Sequence, residues 1–359
     1  MKLFMKILYI IPKFTTGGAE ITVLNYVRYF VAQGHKVTVA SVVGGGELVN
    51  QFARAGAEVI ITPQKSLWQV FSCWQNLYRW CRENQPDIVH TQVFSADCTG
   101  FILVKLGVVK HWFSHQQNLE KFAPKFRQFI WRKILRSAEK IITVSRVVND
   151  YCLNIWKLPA EKLIIIKNGV NLNNYQNFPL DIFVNKKIIL ATIGRLAKQK
   201  GQSLLLLALA KLTQFFYLLK FFGNGSLKNE LSNLAKKLNL SEQIKFKGVV
   251  VLSEELTDVD LVVQPSLWEG LSLGVMEAMA AGRLVVASQA AGEELIRDGV
   301  TGLVFKNNDY QDLARVLHYA FTHREKVKQI AVRGREQALR EFGLEKNIKK
   351  VEVLYENVK

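Results

Sequence analysis

Short apolar runs recur along this chain, each followed by a longer stretch whose apolar residues return every three or four positions. Residues 6–11, 37–41, 58–61, 87–90, 111–114, 140–144 and 163–166 read as strands. Helical periodicity is clearest in residues 20–32, 67–82 and 125–136. After a polar stretch around residues 171–187 the alternation starts again, with strands at 188–193, 217–222, 244–247, 261–264 and 284–287. Strands that alternate with helices of this length form parallel sheets covered by helices on both faces. The pattern therefore predicts an α/β protein with two doubly wound, Rossmann-like domains facing a central cleft. Their expected limits are residues 1–172 and 186–340, with residues 341–359 as a C-terminal helix packing back on the first domain.

In such sheets a ligand lies beyond the carboxyl ends of the strands. The unusual residues of this sequence fall there. Thr15-Thr16-Gly17-Gly18-Ala19-Glu20 follows the first strand. Gly194-Arg195-Leu196 and then Lys200-Gly201 follow the first strand of the second half. Gly223-Asn224-Gly225 and Pro265-Ser266-Leu267-Trp268-Glu269-Gly270 follow later strands.

Each stretch has a chemical reading and a plain one. Gly17 and Gly18 allow backbone to approach a ligand, and the helix after them offers unpaired N–H groups to an anion. A tight turn would use the same residues. Arg195 and Lys200 flank a helix start and together suit a diphosphate, Arg through its fork and Lys as a point charge. They would equally serve as surface cations. Glu269 lies in the loop before a helix expected to begin near Leu273, and Glu277 lies one turn inside it. Both carboxylates can accept hydrogen bonds from sugar or ribose hydroxyls. The N–H groups of Leu271, Ser272, Leu273 and Gly274 would point at a phosphate or sugar oxygen. The alternative is an acidic helix start favoured by the helix dipole.

Charge and cysteine content narrow the partners. The formal net charge is +18. Residues 1–180 hold 22 Lys and Arg against 10 Asp and Glu, a net of +12; residues 181–359 hold 26 against 20, a net of +6. The first half is the expected face for an anionic partner. Its stretch 121–136 combines Lys121, Lys125, Arg127, Arg132, Lys133 and Arg136 with Phe122, Phe126, Phe129, Ile130, Trp131 and Ile134, and holds no acid. That composition predicts docking on an anionic membrane, against the alternative of a stripe packed on the domain's own sheet. No recognition-helix, zinc or stacked-aromatic motif supports nucleic-acid binding. Cys73, Cys81, Cys98 and Cys152 form no CxxC pair and read as reduced, buried thiols of a cytoplasmic protein. The apolar run at residues 3–11 is short and interrupted by Lys6, so it reads as a buried strand rather than a signal sequence. Asp258-Val259-Asp260 imitates a metal-binding DxD but precedes a strand. Neither a metal nor another cofactor is expected, and no GxGxxG opens the first domain as a dehydrogenase would require.

Taken together the loops resemble a family. IGRLAKQKG (193–201), FFGNGSLKNEL (221–231), PSLWEGLSLGVMEAMAAG (265–282) and DGVTGLVF (298–305) are similar to the C-terminal domain of GT-B fold glycosyltransferases. The match is to the large retaining group 1 and family 4 type, which includes bacterial lipopolysaccharide-core and mannosyl transferases. GGAE (17–20), DIVHTQ (87–92), ITVS (142–145) and KNGVN (167–171) extend the resemblance over the first half. The resemblance implies a nucleotide-sugar donor and a glycolipid or saccharide acceptor, with the nucleotide sugar as substrate rather than cofactor. It implies that Arg195 and Lys200 neutralise the donor diphosphate, that Glu277 binds the ribose and Glu269 the donor sugar. It implies that the Gly17-Gly18 loop approaches the phosphate or sugar and that His115 faces the reacting sugar. A nucleotide-sugar epimerase of the same fold is the alternative. One departure stands out: the family commonly places Pro in the turn after the EAMA helix, where this chain has Gly282-Arg283-Leu284.

Overall fold

The computed structural model describes residues 4–62, 68–120 and 123–358, with residues 68–72 described by backbone alone. Expectations that fall on Leu67, Lys121 and Phe122 lie outside the described residues. The chain divides into two compact units, Met1–Asn168 with Glu345–Lys359, and Gly169–Leu344.

The first unit runs β1 (Lys6–Ile11), α1 (Gly18–Ala32), β2 (Lys36–Ser41), α2 (Val49–Arg54), β3 (Glu58–Ile61), α3 (Trp68–Asn84), β4 (Ile88–Gln92), α4 (Val93–Lys105), β5 (His111–Gln116), α5 (Lys125–Leu135), β6 (Lys140–Thr143), α6 (Arg146–Asp150) and β7 (Leu163–Ile165). All strand pairs are parallel, in the order β3-β2-β1-β4-β5-β6-β7. The second unit runs β8 (Ile188–Ile193), α7 (Gln202–Leu209), β9 (Tyr217–Phe222), α8 (Lys228–Lys237), β10 (Ile244–Gly248), α9 (Leu252–Glu255), β11 (Leu261–Gln264), α10 (Leu273–Ala280), β12 (Leu284–Ser288), α11 (Gln289–Gly292), β13 (Leu303–Phe305), α12 (Tyr310–Thr322) and α13 (Arg324–Glu341). Its sheet, also parallel, has the order β10-β9-β8-β11-β12-β13. α14 (Leu344–Glu356) carries the chain back into the first unit, where Tyr355 is fully buried.

Burial explains the strand composition. Ile7 to Ile11 in β1 and Leu261 to Val263 in β11 are almost wholly excluded from solvent, as strands covered on both faces must be. β4 and β5 each extend two residues beyond their apolar runs, to Gln92 and Gln116. The added residues are polar, and His90, Thr91, Gln92, Ser114 and His115 are nonetheless buried. One cause is Asp97 on α4, which accepts from Thr91 Oγ1 (2.5 Å), Ser114 Oγ (2.8 Å), Gln116 Nε2 (3.0 Å) and Trp131 Nε1 (2.7 Å). This fully buried carboxylate joins β4 and β5 to α4 and α5. Burial raises its pKa to about 6, against the lowering effect of its donors. β13 was not anticipated: three residues at a sheet edge are too short to show a period.

The connecting stretch after Gly169 is fastened to the second unit. Arg335 donates to the carbonyls of Tyr175 (2.7 Å), Gln176 (2.7 Å) and Phe178 (3.4 Å). Arg283 donates to the carbonyl of Pro179, and also to Ala281 O (2.9 Å) and Val259 O (3.0 Å). Arg283, in the turn after α10, is 1% exposed. Burial lowers its pKa to about 10.

Candidate active site

In the second sheet the strand order reverses between β8 and β11, so the loops leaving these neighbours diverge and open a crevice. Lys200 follows β8 and Glu269 follows β11. Their side chains meet, with Lys200 Nζ 2.5 Å from Glu269 Oε1. Glu269 also accepts from Ser266 Oγ (2.7 Å) and Gln264 Nε2 (3.5 Å). The two loops are latched by backbone as well: Leu267 N donates to Gln199 O (2.8 Å), and Gln199 Nε2 to Trp268 O (3.0 Å). Arg195 is exposed, and among the described residues its guanidinium has no ion-pair partner. Of the two cations read as a diphosphate clamp, one is therefore free and the other already holds a carboxylate.

Close backbone approach shapes the same crevice. Gly223, after β9, has φ +135°, and a Cβ there would strike the carbonyl oxygen of Gly194 after β8. A Cβ on Gly274 would lie 2.9 Å from Ile193 Cγ2, so glycine lets the first turn of α10 sit against the end of β8. Ser272 is the N-cap of α10, but its side chain makes no capping bond. Leu271 and Leu273 are half-buried beside it. The leading N–H groups of α10 are thus available to an anion. Glu277 sits one turn inside the helix, as the sequence indicates. Burial raises its pKa to about 7, against the lowering effect of a hydrogen bond from Tyr175 (Oη to Oε1 3.4 Å). Nothing in the residue pattern pointed to Tyr175.

Asp258 and Asp260 are both engaged. Lys220 Nζ reaches both carboxylate oxygens of Asp258, at 2.8 and 2.7 Å. Asp260 accepts from the backbone N–H groups of Phe183 (2.5 Å) and Ile189 (2.7 Å). Among the described residues no cluster of three His, Cys, Asp or Glu could hold a metal.

In the first unit Gly17 is the extended N-cap of α1 and Gly18 its first residue, without a side-chain cap. His115 lies at the carboxyl end of β5 and is wholly buried. Its ring stacks on Tyr26 (centroids 6.1 Å, 15°) and lies 5.4 Å from His90. Gln117 Nε2 lies 3.3 Å from its Nε2, and Asn168 Nδ2 donates to Gln117 Oε1 (2.8 Å). Burial pushes the His115 pKa down to about 3 and also lowers that of His90, whose Nδ1 bonds the Tyr355 hydroxyl. Both imidazoles are neutral at physiological pH. His115 is available as a hydrogen-bonding group and not as a cation.

A glycosyl transferases group 1 model matches residues 177–337, and a glycosyltransferase family 4 model matches residues 16–174. The chain belongs to the GT-B glycosyltransferases. An uncharacterized glycosyltransferase of Methanocaldococcus jannaschii is 32% identical over 180 residues, 46% of each chain. The Escherichia coli UDP-Gal:α-D-GlcNAc-diphosphoundecaprenol α-1,3-galactosyltransferase is 22% identical over 305 residues, 78% of each chain. Alignments with these and other curated relatives span between 42% and 78% of the relatives' own lengths. Anabaena HepE, solved in complex with UDP-glucose, superposes with a TM-score of 0.89 at 21% identity, covering 98% of this chain and 100% of that one. This GT-B chain thus has the fold of a structure that holds a nucleotide sugar. No helix among its described residues is long and apolar enough to cross a membrane.

Proposed function

We propose that the protein transfers a sugar, with retention of anomeric configuration, from a nucleoside diphosphate sugar to a glycolipid or saccharide acceptor. Relatives named for O-antigen and galactosyl-lipid synthesis support cell-surface polysaccharide or lipopolysaccharide assembly as the setting. The observation that carries the reading is the Lys200–Glu269 pair at the strand-order reversal, beside the uncapped start of α10.

In this reading Lys200 and Arg195 take up the charge that develops on the departing diphosphate, and the start of α10 adds its dipole. Glu269, fixed by Ser266, accepts from a donor-sugar hydroxyl. Glu277 accepts from the ribose. The acceptor oxygen bonds to the anomeric carbon on the face from which the diphosphate leaves. The carbon–oxygen bond to phosphate breaks, and the acceptor's proton passes to the released phosphate oxygen. The Gly17-Gly18 loop contributes N–H groups, and His115 a neutral hydrogen bond. No metal step is needed, because two cations serve the leaving group and Asp258 and Asp260 are engaged elsewhere.

A thermal-shift screen across UDP-, GDP- and ADP-sugars identifies the donor. Turnover is then followed with and without acceptor, in excess EDTA, with the product's configuration read by NMR. Acceptor-dependent product of retained configuration supports the reading. Isomerised or hydrolysed donor without acceptor would favour an epimerase. Loss of activity in EDTA, restored by Mg²⁺ or Mn²⁺, would overturn the metal-free scheme.

The reading includes docking on an anionic membrane through residues 121–136. On α5 the apolar stripe divides: Trp131 and Ile134 are buried, whereas Phe126 and Phe129 are 76% and 47% exposed. Lys133 Nζ and the Arg132 guanidinium lie over the Phe129 ring, at 4.5 and 5.7 Å. An exposed aromatic pair ringed by cations matches an interfacial anchor. Phosphatidylglycerol vesicles should bind the protein at low salt and release it at high salt. Changing Lys125, Arg132 and Lys133 to Glu should abolish binding, and equal binding by that variant would refute it.

A further inference from the structure

The stretch between the sheets is held by more than chain connectivity. Two buried guanidinium groups, Arg335 and Arg283, bind the carbonyls of residues 175, 176, 178 and 179. Neither is spent on a carboxylate there. Burying arginine to hold neutral carbonyls is costly unless the position of those carbonyls matters. Arg283 also lies over the Phe178 ring, 5.4 Å from its centroid, and Phe178 packs at 5.6 Å on Tyr175. The residue these contacts fix most closely is Tyr175, which is 2% exposed in an apolar cluster with Val259, Met276 and Phe342.

In that cluster phenylalanine would pack as well as tyrosine. A buried phenol needs a partner for its O–H, and the partner here is Glu277 Oε1 at 3.4 Å. The bond is long for O–H···O, so it is weak in the free site. No ion pair or other hydrogen bond to the Glu277 carboxylate appears among the described residues. The second carboxylate oxygen is left for a ligand.

We propose that Tyr175, clamped by Arg335 and Arg283, is a positioning residue that orients Glu277 toward the two ribose hydroxyls of the donor nucleotide. The inference rests on the donor reading above. The connecting stretch thereby forms part of the nucleotide site's support, and Arg283 stands where it does because it holds that support.

The test compares UDP with its 2′,3′-dideoxy analogue by calorimetry on the full chain, GDP or ADP replacing UDP if the donor screen selects them. Tyr175→Phe should weaken binding of the diphosphate about five- to tenfold, the loss of one ordinary hydrogen bond, and leave the dideoxy analogue unchanged. In a Glu277→Gln background the same change should have no further effect. Equal weakening for both nucleotides would mean that Tyr175 only packs, and wild-type affinity for both would also overturn the proposal. If the wild-type protein binds none of the three diphosphates, the donor reading itself falls. That outcome is distinct from an unaffected Tyr175→Phe variant.

Discussion

Replacing Lys200 by methionine keeps most of the side chain's length and removes its charge, which isolates the ion pair with Glu269. The Glu269 side chain is 7% exposed and Lys200 17%, so the pair is largely out of water. Removing one partner of a fully buried pair costs about 3–5 kcal/mol, because the other charge is stranded. Glu269 keeps its donor from Ser266 at 2.7 Å, which lowers the expected loss. A destabilisation of about 2–3 kcal/mol follows, or roughly 4–12 °C in Tm for a unit of this size. Turnover should fall by about 10- to 100-fold, since the leaving diphosphate loses a charge-assisted bond of about 1.5–3 kcal/mol. The two effects separate in the double variant. Adding Glu269→Gln removes the stranded charge, so calorimetric melting should recover toward wild type. Initial-rate kinetics should not recover. Lys200→Met with unchanged melting and unchanged turnover would refute both the pair's energetic weight and its place in the leaving-group site. Recovery of turnover in the double variant would refute the catalytic half alone.

Two further outcomes follow from the buried carboxylates. Glu277 has its folded pKa raised to about 7 from an ordinary 4.5, so it contributes stability below the unfolded pKa that is lost as pH rises through 7. Ribose hydroxyls donate to the ionised form, so UDP affinity should rise about tenfold from pH 6 to pH 8, measured against Glu277→Gln to remove the phosphate's own titration; a flat difference would sink this role. Asp97→Asn should cost about 2–4 kcal/mol in denaturant unfolding, because each carboxylate oxygen now accepts from two donors and an amide nitrogen in place of either can accept from none. An unchanged midpoint would show that the network adds nothing to stability.

The strands and their order of appearance were legible because parallel strands buried on both faces are written as apolar runs. The short edge strand β13 was not, and β4 and β5 were read two residues short, because their last residues are polar. Those residues are buried by partners distant in sequence. Asp97 is six residues from Thr91 but 34 from Trp131, and the tyrosine bonded to His90 is 265 residues away. Periodicity carries no record of such pairings.

The candidate site divides in the same way. The glycines and acids proposed to meet the donor stand close together in sequence, so Glu269, Gly274 and Glu277 could be read as one constellation. What holds them stands far off: Lys200 is 69 residues from Glu269, and Tyr175 is 102 from Glu277. Arg283 makes the point most sharply. From the sequence it is only the middle residue of Gly282-Arg283-Leu284, the turn in which this chain departs from the family's pattern. In the fold its guanidinium spans Val259, Ala281 and Pro179, three backbone positions that no local pattern connects. An apolar residue at that position would have no side-chain donor for any of them. Arg283 thereby clamps the segment bearing Tyr175. If that clamp is what Arg283 is for, Arg283→Met, which keeps much of the side chain's length and the backbone N–H bond to Ala278 but has no side-chain N–H donor, should weaken nucleotide binding. A stable Arg283→Met protein with wild-type UDP affinity would leave the arginine without a part in the site.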